Sequence, residues 1–162
     1  MINFINFTPE YFTCSNQLYE KYRRFLEDDY NEDTFAGIIN RCYPFFRIIL
    51  SDTSFAGFVY LENITGNSKK LNSAEIVTCV HPKFWGKFTK QCAQIFLNKC
   101  FEEFKFRKIK ALVFPDNKRV ISILSDSGFS KEATLKSETM RFGKEQDIEI
   151  YSIMRCKNES NN

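Results

Sequence analysis

The sequence predicts a mixed α/β (α+β) fold: a mostly antiparallel central sheet containing one parallel strand pair, flanked by helices. Three observations predict it. The strand and helix patterns run in the order β, α, α, β, β, β, α, β, α, β, β, two helical patterns precede the first hairpin, and the strand–helix–strand unit that follows it implies a right-handed parallel crossover. No Gly-x-Gly-x-x-Gly follows a strand and no Gly-x-x-x-x-Gly-Lys-Ser/Thr occurs, so doubly wound dinucleotide folds and P-loop NTPases are set aside. With 162 residues and 43% hydrophobic composition the chain suits one domain, expected over residues 1–156, with a disordered polar tail at 157–162.

In order, a short strand at 2–7 meets Thr8-Pro9, an N-cap with proline at the first helical position. The helix that follows carries Tyr11, Ser15, Leu18, Tyr22 and Phe25 or Leu26 at helical spacing and closes in an acidic run, Glu27, Asp28, Asp29, Glu32 and Asp33. A second helix over 34–41 stops before Pro44. Strands at 45–50 and 55–61 form a hairpin through Ser51-Asp52-Thr53, and the Gly-, Asn-, Ser- and Lys-rich stretch 63–71 reads as an exposed loop. A third strand, 74–80, ends at His81-Pro82. A long helix from about Lys87 then lines up Phe88, Cys92, Ile95, Phe96, Cys100 and Phe104 on one face. A strand at 108–114 follows, Pro115-Asp116-Asn117 opens another helix, and Gly128 closes it. Strands at 130–142 and 148–155 read as an antiparallel pair.

Composition removes several classes of function. The net charge of +3 forces no nucleic-acid or membrane partner, and no apolar run approaches the roughly 18 residues of a spanning helix, because Arg47 interrupts 45–50. The first cationic residue is Lys21, so a basic secretory start is missing and a cytoplasmic location is expected. Six cysteines (14, 42, 79, 92, 100 and 156) include no Cys-x-x-Cys pair and accompany one histidine, so no metal site is expected and the thiols read as small buried hydrophobes. Aromatics on the long helix fall on its apolar face rather than among its lysines, unlike a nucleic-acid stacking platform.

The informative stretch is Val80-His81-Pro82-Lys83-Phe84-Trp85-Gly86-Lys87-Phe88-Thr89, between a strand and the start of the long helix. A helix N-terminus offers unpaired N–H groups and partial positive charge, which suits an anionic ligand. From Lys83 to Arg119 ten Lys/Arg stand against three acids, a surplus of seven; with the chain at +3, the remainder carries −4. That asymmetry puts a positive field where a phosphorylated ligand would dock. The same lysines also fit a solvated helix face.

These residues, in this order, resemble the GNAT superfamily of acyl-CoA-dependent N-acetyltransferases, and within it the branch that acetylates ribosomal-protein N-termini. The likeness spans about residues 55–154 and rests on Ala74-Glu75-Ile76, on Pro82-x-x-Trp85-Gly86-Lys87, on Asn117 spaced with Leu124 and Gly128-Phe129, and on Asp147 with Tyr151 in the last strand. The resemblance implies that the parallel pair splays apart at the cofactor site. It implies that Cys79 and Val80 offer backbone groups to the pantetheine arm of acetyl-CoA, with a Val80 donor for the oxyanion. Lys83 stands at the Arg/Gln position of the pyrophosphate loop, and Phe84, Gly86, Lys87, Phe88 and Thr89 would wrap the pyrophosphate. Asn117 would bond the pantetheine or the substrate side of the thioester. The activity implied is transfer of an acetyl group from acetyl-CoA to a primary amine (a protein N-terminus, a lysine or a small amine such as a polyamine) by direct attack within a ternary complex.

Glu75 is the expected general base, since a strand carboxylate facing the amine can take its proton through water; the alternative is a plain exposed strand glutamate. Three positions depart from the family pattern. Phe88 replaces a small residue and either crowds the cofactor or turns into the core; Val120 replaces serine; Leu124 stands where many members place a tyrosine acid. A catalytically inactive binding or structural module of the same fold is therefore the alternative function. Tyr151 orients substrate or is a half-buried sheet tyrosine, and the acidic run attracts a cationic amine or is a solvated turn.

Overall fold

A computed structural model describes residues 1–155; Cys156 and the 157–162 stretch expected as a tail lie outside the described residues. Strands β1 (Ile2–Asn6), β2 (Arg47–Ser51), β3 (Ser54–Asn67), β4 (Lys70–Val80), β5 (Lys108–Val113), β6 (Ser130–Arg141) and β7 (Lys144–Met154) form one sheet in the order β1-β2-β3-β4-β5-β7-β6. Every pairing is antiparallel except β4 with β5, whose crossover is helix α3 (Lys87–Glu102). Helices α1 (Phe12–Leu26) and α2 (Phe35–Cys42) precede β2, and α4 (Lys118–Asp126) follows β5.

The period of two along each strand sorts the apolar residues into two cores. Ile48, Phe58, Tyr60 and Cys79 face α1 and α2, where they pack with Leu18, Tyr19, Phe35 and Ile38. Ile49, Val59, Leu61, Ala74 and Val80 face the other way, onto Cys92, Phe96, Leu97, Cys100 and Phe101 of α3 and Leu124 of α4. Each core is therefore a helix layer on one face of the sheet. Gly57 lets β3 approach β4, because a Cβ there would overlap the Cys79 carbonyl oxygen.

Several local expectations change. The 63–71 stretch is not a loop: β3 and β4 continue through it as an exposed hairpin whose turn is Ser68-Lys69. Its polar composition reflects strands with no covering layer. Asn67 Oδ1 accepts from the Lys69 and Lys70 N–H groups, and the Thr65 and Ser73 hydroxyls meet at 2.8 Å. Thr8 does not cap α1 with its side chain; its hydroxyl bonds Glu10 at 3.2 Å, and a 3-10 turn at Pro9–Tyr11 leads into the helix. Ile95 is 43% exposed, on the outer face of α3. The last strand begins at Lys144 rather than 148, and β2 begins at Arg47 because Phe45 closes a turn onto the Cys42 carbonyl.

Candidate active site

The parallel ladder between β4 and β5 is short. Ser73, Ala74 and Glu75 pair with Lys108, Ile109 and Lys110, and beyond that point the strands diverge. Divergence leaves backbone groups of β4 without a strand partner on that side, and alternation tells which ones. The His81 N–H bonds the Ala56 carbonyl and the Arg107 N–H bonds the Asn72 carbonyl, so the even-numbered residues of β4 turn their N–H and C=O toward β5. Thr78 and Val80 therefore address the gap. Cys79 is registered opposite Phe58, and its backbone groups belong to the β3 ladder, contrary to the expectation that it serves a ligand. Burial also pushes the Cys79 thiol up to about 12, so it is inert.

A cavity of about 530 Å³ occupies the gap. Its wall includes Thr78, Cys79 and Val80 of β4, Thr89 of α3 and Asn117 at the start of α4, so four residues expected to serve a ligand (79, 80, 89 and 117) converge there. Asn117 is committed to structure: its Oδ1 accepts from the Val120 N–H as the N-cap of α4. Trp85, which the sequence placed in the Pro82-x-x-Trp85-Gly86-Lys87 stretch without giving it a role in binding, is a neighbour here. Its indole N–H donates to the Val80 carbonyl at 2.8 Å, and the Arg119 guanidinium lies 3.5 Å from its ring centroid. The pair spans the cavity from the α3 side to the α4 side.

Lys83, Phe84, Gly86, Lys87 and Phe88 are not on the cavity wall. The predicted cradle is also shorter than residues 84–89. The Lys83 N–H donates to His81 Nδ1 and the Phe84 N–H to the His81 carbonyl, both inside a 3-10 turn at Pro82–Phe84. What remains is the first turn of α3: Gly86 at φ 99° is its N-cap, no side chain caps it, and the N–H groups of Lys87, Phe88 and Thr89 precede the first intrahelical donor, Lys90. Glycine suits that left-handed φ, and the space around it is open. Phe88 takes the packed alternative, its ring 5.1 Å from that of Phe84 and tilted by 41°, against the α3 core. Val120 and Leu124 line the cavity, so no hydroxyl is contributed from either position.

A second cavity, about 440 Å³, opens on the other side of the divergence and shares Leu26, Ile76, Val77, Leu112 and Val113 with the first. Glu75 lies here, together with Glu27, Asp28, Glu32, Asp33 and Glu62, and no lysine or arginine lines it. Glu75 is ion-paired with Lys110 at 2.9 Å and accepts from Asn63 at 2.7 Å. Glu62 is pushed above the usual carboxylate range by burial despite Arg41 at 3.3 Å. Glu27 is pushed up to about 7, first by burial and then by the charge of Glu62. Sequence reasoning met Glu27 only as one acid in a run; its burial was the missing signal. Asp28 and Asp29 of the same run do structural work, bonding Thr139, Phe142 and Gly143 of the β6–β7 hairpin. Tyr151 is a buried sheet tyrosine whose hydroxyl bonds Glu149 at 3.0 Å, and Asp147 pairs with Lys136, so neither joins a cavity.

Among the described residues, no helix is long and apolar enough to cross a membrane, and no group of His, Cys, Asp and Glu is arranged to hold a metal ion. The sequence profile of the acetyltransferase (GNAT) domain family matches residues 7–130. No curated protein matches the sequence significantly. Solved structures do match in shape. Spermidine N-acetyltransferase from Vibrio cholerae, in complex with CoA and spermine, aligns with a TM-score of 0.77 at 20% identity, over 94% of this chain and 95% of its own. RimJ from Mycobacterium smegmatis, in complex with CoA-disulfide, gives 0.77 at 19% identity over 94% and 81%. Ribosomal-protein-S5-alanine acetyltransferase from Vibrio fischeri gives 0.76 at 15% identity over 99% and 96%. At such identities these are likenesses of fold.

Proposed function

The chain belongs to the GNAT acetyltransferase family, and from that premise we propose that it transfers an acetyl group from acetyl-CoA to a primary amine by direct attack in a ternary complex. One observation carries the reading: where the β4–β5 ladder ends at Glu75 and Lys110, two cavities meet across the same five residues, one edged by a helix N-terminus and one lined by carboxylates. A donor thioester and an acceptor amine held in them would lie side by side, which supplies much of what acyl transfer needs.

In this reading the acetyl-pantetheine arm occupies the gap beside Thr78 and Val80, and the Val80 N–H faces the developing oxyanion. The Lys87, Phe88 and Thr89 N–H groups hold the pyrophosphate, with Lys83 and Lys87 adding charge. The acceptor is a cationic amine drawn into the acidic cavity. The spermine bound to the Vibrio cholerae relative and the ribosomal-protein alanine in the Vibrio fischeri enzyme's name are compatible with such an acceptor. The Pro82-x-x-Trp85-Gly86-Lys87 stretch favours the branch acting on ribosomal-protein N-termini, and the carboxylate lining favours a polyamine. Residues 1–156 act as one cytoplasmic domain.

Thermal shift and product formation test the proposal together. Acetyl-CoA at 100 times its Kd should stabilise the chain by about 2.7 kcal/mol, and spermidine or an alanyl peptide should be acetylated. An inactive module of the same fold is the second reading, favoured by Leu124 and by the Trp85–Arg119 pair across the donor cavity. Tight acetyl-CoA binding without acetylation of any amine would select it.

A further inference from the structure

The carboxylates of the acidic cavity are sorted by what each already holds. Glu75 is neutralised by Lys110, and Glu62 and Asp33 share the guanidinium of Arg41. Asp28 accepts from the Thr139 hydroxyl at 2.6 Å and the Tyr30 N–H at 3.0 Å. Glu32 is exposed to water. Glu27 is half-buried, and its partners are uncharged: the Asn31 amide and the Tyr19 hydroxyl at 3.4 Å. Resting on the reading of this cavity as the acceptor site, we propose that Glu27, rather than Glu75, takes the proton from the acceptor ammonium.

The groups around Glu27 and its neighbours Tyr19 and Glu62 keep it available. From α1 come Tyr19, Glu20 and Arg23, and the Arg23 guanidinium is spent on the Asn31 and Asp33 carbonyls at 3.1 and 3.5 Å. The loop after α1 adds Asn31 and Asp33, α2 adds Arg41 and Cys42, β3 adds Tyr60 and Glu62, and β4 adds Glu75. Arg41, the other cation of this set, is taken by Asp33 and Glu62. An arriving ammonium thus finds in Glu27 a carboxylate without a counter-ion. The N–H bond breaks toward a Glu27 oxygen and its electron pair stays on nitrogen. That pair then forms the C–N bond to the thioester carbon while the C–S bond breaks. The thiolate leaves with the C–S pair and receives the second proton shed by nitrogen, and Glu27 returns its own proton to water.

The test is the pH profile of kcat/KM for the wild type, Glu27→Gln, Glu27→Asp and Glu75→Gln, with acetyl-CoA and with spermidine and an alanyl tripeptide amide as acceptors. General-base removal is worth about 10²-fold or more. Glu27→Gln should lose that much in kcat and lose the rise through neutral pH, Glu27→Asp should recover part of both, and Glu75→Gln should keep the rise. An intact rise in Glu27→Gln, or its loss in Glu75→Gln alone, overturns the assignment. Should calorimetry find acetyl-CoA bound while neither amine is acetylated by the wild type, the acceptor reading beneath it is overturned instead.

Discussion

Trp85 donates its indole N–H to the Val80 carbonyl at 2.8 Å, at the residue whose backbone faces the gap between the diverging strands. A buried carbonyl is rarely left unpaired, and here the indole supplies what a neighbouring strand would. A pantetheine amide entering the gap competes for the same oxygen.

Trp85 is the sole tryptophan, so its emission reports that competition directly. Acetyl-CoA should red-shift the emission as the indole loses the Val80 carbonyl and moves toward water. Unchanged emission at a ligand concentration that calorimetry shows to be saturating would mean that the indole keeps its bond and the arm lies elsewhere.

Phe88 packs on Phe84 and the α3 core rather than on the donor cavity. Phe88→Gly should therefore lower stability by about 2–4 kcal/mol, from lost packing and helix propensity, without tightening acetyl-CoA binding. A tenfold gain in affinity would show that the ring obstructs the cofactor.

Glu27 also sets a sign for stability. Its carboxyl is raised from 4.5 to about 7, so the folded chain holds this proton more tightly than the unfolded chain does. The site's contribution is fully present below about pH 4.5 and is lost as pH rises through about 7. Relative to the wild type, Glu27→Gln should gain in Tm between pH 5 and pH 8 on this account. A Tm difference that does not vary with pH would rule out a protonated Glu27 in the folded state.

Asp29 ties the loop after α1 to the β6–β7 turn, accepting from the Phe142 and Gly143 N–H groups at 3.0 and 2.8 Å while its own N–H bonds Met140. Asp29→Ala should cost about 1 kcal/mol and speed amide hydrogen exchange at Phe142 and Gly143. Unaltered exchange there would show that the turn is held by other contacts.

What could be read from the sequence followed periodicity. The order of elements along the chain, the α3 crossover and most of the apolar face of α3 were legible because burial imposes periods of two and 3.6 on the chain. The 63–71 hairpin was not, since strands without a covering layer carry no apolar alternation, and Gly66, Asn67 and Lys69 read as turn residues. At the site, the Pro82–Thr89 stretch marked the right helix start, yet the 3-10 turn that consumes the Lys83 and Phe84 N–H groups is a matter of backbone geometry. The acidic run after α1 could not be divided in advance. Asp28 and Asp29 find their partners more than 100 residues away, and Glu27 is set apart only by what buries it.

A crystal structure with acetyl-CoA tests the central claim most directly, that the divergence of β4 and β5 beyond Glu75 and Lys110 is the donor site. The pantetheine arm is predicted along Thr78 and Val80, with the pyrophosphate on the N–H groups of Lys87, Phe88 and Thr89 and the Trp85–Val80 bond broken. A ligand bound elsewhere, or that bond intact beneath a bound cofactor, would contradict it.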